Sequence, residues 1–462
     1  MAWAKSIREA SRPTRLCQPL DTAVLRDTSK FASLQAEWDE LYDSCPSATP
    51  FQSWEWLYSW WEAYEEAYDL RLITLRQEGI LVGLLPLMVR RWPSLGRLLL
   101  IGGDKMTLYS DVMTPYKDIL IREGWEEPVA QAGARALKEL DGWSVADLQE
   151  LMPDAAAWGL FREWYGPKTS VPITDYVLMR AYSSWEELLS SLSRKLRKTA
   201  RRTLRRMEED GLRCQPAAPE DAGRAARTLV DLHRELWRGR RIAPEHLTPR
   251  YVAFMEGAAR RMSERGIGRI SEFRRDDGEV LVSQFLVFDK DFVGVYVTGA
   301  SGEAALRYQF ETLSNWDALE VARGKISQYV SFMDGATRDK LRWASEVVSS
   351  HRIILGRKRT SSWLPYAAYY VLRERYYSLR SQAQSYVLSE SAPGSIRAGT
   401  QRYYALLNYV YSDDAPRWIK SPTHGYWELR GKYGSGWLRY KYENARARRE
   451  TERNATSKGD SE

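Results

Sequence analysis

The sequence predicts an α/β (α+β) chain: two tandem domains, each a mixed, mostly antiparallel sheet flanked by helices. Three observations carry this. Residues 70–88, LRLITLRQEGILVGLLPLM, read as strand, Glu-Gly turn, strand. Residues 268–288, GRISEFRRDDGEVLVSQFLVF, read the same way around Asp-Gly. Each hairpin follows helical sequence and precedes one more strand and a helix, so one supersecondary unit occurs twice. The length of 462 residues accommodates two or three cores of ordinary size.

Composition narrows the class. Hydrophobic residues at 44% and charged residues at 28% describe a folded chain. The longest apolar stretch, residues 80–88, falls far short of the ~20 residues that span a bilayer. The opening MAWAKSIREASRPTRL has no apolar core of a secretory signal. Cys17, Cys45 and Cys214 lack the spacing of a disulfide framework or a zinc site, and His233, His246, His351 and His424 are scattered. The expectation is a cytoplasmic protein without a metal. Trp (19) and Tyr (27) outnumber Phe (10), which favours aromatics with a polar tip, suited to wet clefts as well as cores.

In order along the chain, residues 1–25 read as a loose arm and residues 26–182 as the first domain. Its helices are expected at 30–42 and 51–68; in the second, Trp54, Leu57, Trp61 and Tyr64 share one face. The hairpin, strands near 96–102 and 118–122, a helix at 128–140 and the strand WSVADLQEL complete it. Residues 183–381 read as the second domain. It opens with one long helix over 184–210, followed by helices at 219–238 and 248–265, the second hairpin, and a strand at 292–298. A helix at 303–323, strands at 326–333 and 347–355 and a helix at 363–379 close it. Residues 382–445 form an aromatic and basic extension, and 446–462 a polar tail expected to be disordered.

Three segments could carry chemistry. In SRKLRKTARRTLRRME, eight of the thirteen residues from Arg194 to Arg206 are Arg or Lys. Leu189, Leu192, Leu196, Ala200, Leu204 and Met207 form an apolar stripe opposite them. Such a face is either solvated or a site for polyanions, among which a pyrophosphate or an anionic membrane suits it better than nucleic acid. FVGVYVTGASGE runs a strand into a Gly/Ser turn opening a helix, which offers N–H groups to a phosphate; an ordinary β-α connection has the same pattern. YVSFMDGATRDKLRW delivers Asp334 to a strand end, where α/β proteins bind ligands, although an acid that merely stops a strand reads alike. No Gly-x-Ser-x-Gly elbow or Gly-Lys-Ser/Thr loop is present.

The order of these pieces resembles the acetyltransferase family typified by the cellulose-biosynthesis protein CelD, of the GNAT superfamily and related to Fem-type aminoacyltransferases. The basic helix at 193–206 carries the resemblance, with the helix bearing Leu313, Trp316, Leu319 and Ala322, and Asp334-Gly335 followed by Lys340 and Leu341-Arg342-Trp343. FQSWEWLYSWWEAY followed by VGLLPLM resembles the family's opening, so coverage extends over roughly residues 20–380. The chain departs at Asp339, where the family has an aromatic, and at Arg307-Tyr308, in place of Pro-Gly. The usual acyl-CoA loop is replaced by Gly299, Ser301 and Gly302.

The resemblance implies two GNAT-like domains and direct transfer of an acetyl or other acyl group from acyl-CoA to an amine, less often a hydroxyl. Asp334 or Glu272 would take the proton, and Tyr296 and Tyr308 would serve the leaving thiolate. Gly299, Ser301, Gly302 and Arg307 would face the pyrophosphate. Arg197, Arg201, Lys340, Arg342 and Trp343 would line an anionic or lipid-linked sugar acceptor in polysaccharide or envelope assembly. The basic helix would meet the inner face of an anionic membrane. Two other readings stand beside this one: Fem-type aminoacyl transfer from charged tRNA, and a catalytically inactive binding scaffold.

Overall fold

A computed structural model describes residues 19–90, 96–104, 112, 114–237, 242–325, 327–357, 363–373 and 375. The expected extension at 382–445, the tail at 446–462, Cys17, His424 and most of the expected arm lie outside them. The described end of that arm is not loose: β1 (Asp21–Leu25) pairs antiparallel with the following hairpin strand, five residues against five.

The first half continues with α1 (Thr28–Ser33), α2 (Gln35–Asp43) and α3 (Trp54–Tyr64). Ser53 starts α3, its side chain accepting the Trp56 N–H. The expected hairpin is β2 (Tyr68–Gln77) and β3 (Ile80–Arg90), turned by Gly79 at φ 83°. After β4 (Arg97–Leu100) and β5 (Leu120–Ile121) come α4 (Glu126–Glu139), β6 (Val145–Leu151), α5 (Trp158–Glu163) and β7 (Lys168–Arg180).

The second half repeats the plan. The expected long helix is two, α6 (Trp185–Ser191) and α7 (Arg194–Glu209), because Ser193 adopts ψ 148° and caps a new helix through the Leu196 N–H. Then follow β8 (Arg213–Pro216), α8 (Ala222–Leu236) and α9 (Pro249–Arg265), the last with Thr248 as cap, Pro249 in its first turn and left-handed Gly266 at its end. The hairpin β9 (Gly268–Arg274) and β10 (Val280–Asp289) leads to β11 (Phe292–Ala300), α10 (Gly302–Arg307) and α11 (Phe310–Lys325). β12 (Tyr329–Asp334), α12 (Arg338–Leu341) and β13 (Glu346–Gly356) follow, then a helix over residues 363–373.

All strands join one 13-stranded sheet, ordered β1-β2-β3-β4-β6-β13-β7-β12-β11-β10-β9-β8, with β5 on the side of β3. The order is palindromic about β13 and β7. Each half is an antiparallel run ending in one parallel pair, β4 with β6 and β11 with β12. The halves then exchange their last strands. β7, from the first half, pairs with β12; β13, from the second, pairs with β6; and β7 and β13 pair with each other over ten residues. The duplication therefore yields one continuous mixed sheet rather than two detached lobes.

One core serves both halves. Trp38, Trp56 and Trp60 are fully buried among side chains of α2, α3, α8 and α9, and the Trp56 ring meets Phe254 of α9 edge-on at 5.0 Å. Each such ring removes about 200 Å² from water, roughly 5 kcal/mol apiece at ~25 cal/mol per Å². Arg265 of α9 reaches Asp39, Asp43 and Glu55 of the first half, tying the same interface at its rim.

Candidate active site

The parallel strands β11 and β12 stay joined over three residue pairs only, Phe292–Gly294 against Tyr329–Ser331. Two irregularities turn them apart. On β11 the register with β10 shifts at Phe285/Leu286, leaving Tyr296 as the extra residue of a bulge. On β12 the register with β7 shifts between Ser331 and Asp334, where Met333 has φ 58°. Val295 and residues 297–300 then pair with β10 alone, so β11 has an open edge facing the end of β12.

Polar and aromatic groups collect at this opening. Asp334 is exposed at the end of β12. The Lys340 ammonium of α12 donates to the Asp334 carbonyl oxygen at 2.6 Å, and burial pushes that ammonium below its ordinary value. Tyr296 packs edge-on against Trp56 at 4.7 Å; burial, then the neighbouring Tyr251, Tyr64 and Asp334, hold its phenol well above the usual range. Asp334 acts in the same direction on Tyr176 of β7, after burial and Glu150. Tyr176 donates to the buried Glu150 carboxylate at 2.7 Å, which Ser350 and Thr174 also contact at 3.1 and 3.3 Å. The first half contributes Tyr116, at φ 50°, whose hydroxyl shares a 2.7 Å hydrogen bond with Ser331 and whose ring meets Phe292 at 5.0 Å. The opening thus offers a carboxylate to accept a proton, an ammonium to face negative charge, and phenols that stay protonated as donors.

Of the residues read from the sequence, the fold brings Asp334, Lys340 and Tyr296 together. Glu272 is apart: it is buried on β9, with β10 between it and β11, and forms an ion pair with Arg274 at 2.5 Å. Tyr308 is also apart, buried after α10 and donating to Asp210. Arg307 holds the same Asp210, keeping that carboxyl down at about 2. Gly299 packs against α8, where a Cβ would come 2.5 Å from the His233 nitrogen. The Gly302 N–H already donates to the Glu235 carboxylate at 2.7 Å, while Ser301 caps α10. As folded, this turn presents a carboxylate where a pyrophosphate was expected and does not fit one. Arg197 is spent on the carbonyls of Ser190 and Leu192, and Arg201 on Glu186 at 2.6 Å. Arg342 lies 3.6 Å from Asp339; Trp343 is buried beside Trp185.

Tyr116, Tyr176, Glu150 and Glu235 are additions that sequence reasoning did not single out. Each reaches the opening or its neighbourhood from a different element. The one available signal was the β-rich run KTSVPITDYVLMR, which is β7. Among the described residues no cluster of His, Cys, Asp and Glu is arranged to hold a metal, and no helix is long and apolar enough to cross a membrane.

Comparison with known proteins bears on the same region. The model of the acetyltransferase (GNAT) domain family matches residues 194–341. The fold is similar to that of FemX, at 12% identity over 73% of this chain and 98% of FemX, with a TM-score of 0.51. Weaker likenesses include L-PGS from Bacillus licheniformis (12% identity, 76% and 97% covered, TM-score 0.45). Another is the tandem GNAT protein of the clavulanic acid pathway (12% identity, 72% and 98% covered, TM-score 0.36). No curated protein matches the chain in sequence. The chain carries a GNAT acetyltransferase domain over residues 194–341, and by class it is an acyltransferase.

Proposed function

We propose that the protein moves an acetyl or other acyl group from acyl-CoA to an amine, less often a hydroxyl, at the opening between β11 and β12. The observation that carries this reading is the parting of that parallel pair inside the GNAT-matched segment, with Asp334, Lys340 and Tyr296 at its mouth. The donor supplies an activated carbonyl. Asp334 takes the proton from the attacking amine, and the Lys340 ammonium faces the charge that builds on the carbonyl oxygen. The Tyr296 phenol, which stays protonated, donates a hydrogen bond to the leaving thiolate, which takes its proton from solvent. The resemblance to CelD-like proteins supports an amino sugar or lipid-linked intermediate of polysaccharide or envelope assembly as acceptor, met on the cytoplasmic side.

One observation favours a second reading. A carboxylate on the Gly302 N–H repels a pyrophosphate, so a donor without one at that point, an amino acid esterified to tRNA as in Fem-type transfer, is the alternative. Acetyl-CoA at about 100 times its Kd should raise Tm by several degrees, a stabilisation of ~2.7 kcal/mol. No shift with any CoA thioester, together with transfer of an amino acid from charged tRNA, would replace the first reading by the second. Asp334→Asn should leave folding nearly intact and lower turnover at least tenfold; unchanged turnover removes Asp334 from the site.

A further inference from the structure

α7 hides one face and leaves the other unpartnered. Leu196, Ala200 and Thr203 are buried under it. On the opposite side Arg194, Lys195, Lys198, Arg202 and Arg205 are exposed, and among the described residues none of the five has an ion pair or a side-chain hydrogen bond. At 100° per residue, Arg194, Lys198, Arg202 and Arg205 fall within about a quarter of the helix circumference, along ~16 Å of axis. The stripe ends at Glu208 and Glu209. Beside that end stands α10, strapped to α7 by Arg206 donating to the Arg307 carbonyl at 3.0 Å and by Arg307 on Asp210. Its Leu306 is 91% exposed, more than any other large apolar side chain among the described residues.

We infer that this face seats the protein on an anionic lipid surface. Five uncompensated cations in a row on a rigid helix complement a layer of negative headgroups, each adding to an attraction that acts within a Debye length. The leucine beside the row is the element that separates a membrane from nucleic acid. An apolar side chain gains by entering the headgroup boundary, whereas a nucleic acid backbone gives it nothing. Single-stranded nucleic acid is gripped through stacking on aromatic rings, and α7 has no aromatic residue. The inference stands independently of which acyl donor the enzyme uses.

The test is co-sedimentation of the full chain with phosphatidylcholine vesicles, alone and with about a quarter phosphatidylglycerol, at ~0.1 M and ~1 M salt. The protein should bind the anionic vesicles at least tenfold better than the neutral ones, and lose that preference at high salt. The triple variant Lys198→Glu, Arg202→Glu, Arg205→Glu should lose at least tenfold. A charge-matched variant at exposed sites elsewhere, Lys30→Glu, Arg135→Glu, Arg162→Glu, should bind as the parent does. Leu306→Asp should weaken binding severalfold, with circular dichroism verifying the fold of each variant. Absence of binding, equal losses in both triple variants, or an unaffected α7 variant would overturn the inference. A tRNA pool that binds more tightly and displaces the vesicles would overturn it too, giving the face to nucleic acid.

Discussion

In the first half, β4 and β6 part beside a buried ion network, whereas in the second β11 and β12 part beside aromatic rings and an exposed carboxylate. The first-half network sets Arg90 and Arg97 on Asp104 at 2.8 and 2.5 Å, and Arg97 and Arg352 on Asp147 at 2.7 and 3.0 Å. Gln149 and Tyr366 complete Asp147 at 2.7 and 2.6 Å, and the Arg352 guanidinium lies 3.8 Å over the Tyr370 ring. Tyr366 and Tyr370 belong to the helix at 363–373, which covers this end of the sheet. The same strand plan has therefore been filled with structural charge in one copy and left with titratable, reachable groups in the other. A duplicated fold needs its opening only once; the parting of β4 and β6 in the first half is then available to bind the halves together.

The largest expected effect tests the first copy. Asp147→Asn strips the charge that Arg97 and Arg352 share in a buried site and should cost about 3–5 kcal/mol in urea unfolding. Turnover per folded molecule should stay within twofold; a larger fall would mean that the network serves the second opening. Next comes a pH contrast. His233 donates through Nδ1 to the Thr298 carbonyl at 2.8 Å, and its Nε2 shares a 3.1 Å hydrogen bond with His246 Nδ1. Burial pushes both below their ordinary value, His246 to about 3, with Arg234 adding to the effect. A depressed folded-state value means that this stability is present above pH ~6.5 and is lost as pH falls towards 3. His246 alone should withdraw about 2 kcal/mol between pH 6.5 and 5. Asp39 in the first half, raised to about 6 by burial and Glu55, runs the opposite way. The measurement is therefore the difference in Tm between His246→Gln and parent across that window, which should shrink towards acid.

Smaller effects probe where the copies touch. Tyr116→Phe removes the hydrogen bond that the first half lends to Ser331 and should cost about 1 kcal/mol. If turnover falls much further than this loss of stability explains, Tyr116 belongs to the chemistry. Glu235→Gln should change stability by less than ~1 kcal/mol, since it only neutralises a partner of one N–H at a helix start. Acyl-CoA affinity should rise severalfold in that variant if the donor's pyrophosphate uses Gly302. Unchanged affinity would move the pyrophosphate elsewhere.

Much of the fold was readable because it rests on local signals. Both hairpins, the cap and left-handed end of α9 and the amphipathic stripe of α7 appear in the sequence as turn chemistry, capping residues and period. The break at Ser193 was readable as well, since a serine before RKLR is a cap signal, yet the long apolar period ran across it. The break between α10 and α11 had no such mark: no Pro or Gly stands at Tyr308-Gln309, and Tyr308 is held by Asp210, some hundred residues away. β7 carries Pro172, which argues against a central strand. It lies at the register shift opposite Ser350/His351, where the ladder is already irregular.

The sequence by itself determined that this chain has two copies of one α/β plan, a basic helix with a buried apolar face, and an acid delivered to a strand end ahead of a lysine. Periodicity, caps and turns act within a few residues of chain, so one copy at a time is enough to read them. Only the tertiary structure decided that the copies exchange their last strands, that Tyr116 and Tyr176 reach the second opening, and that Glu235 occupies the Gly302 N–H. Those contacts join residues far apart in sequence, and burial fixes their energies: a carboxylate, a phenol or an imidazole acquires its chemistry from what the fold packs around it.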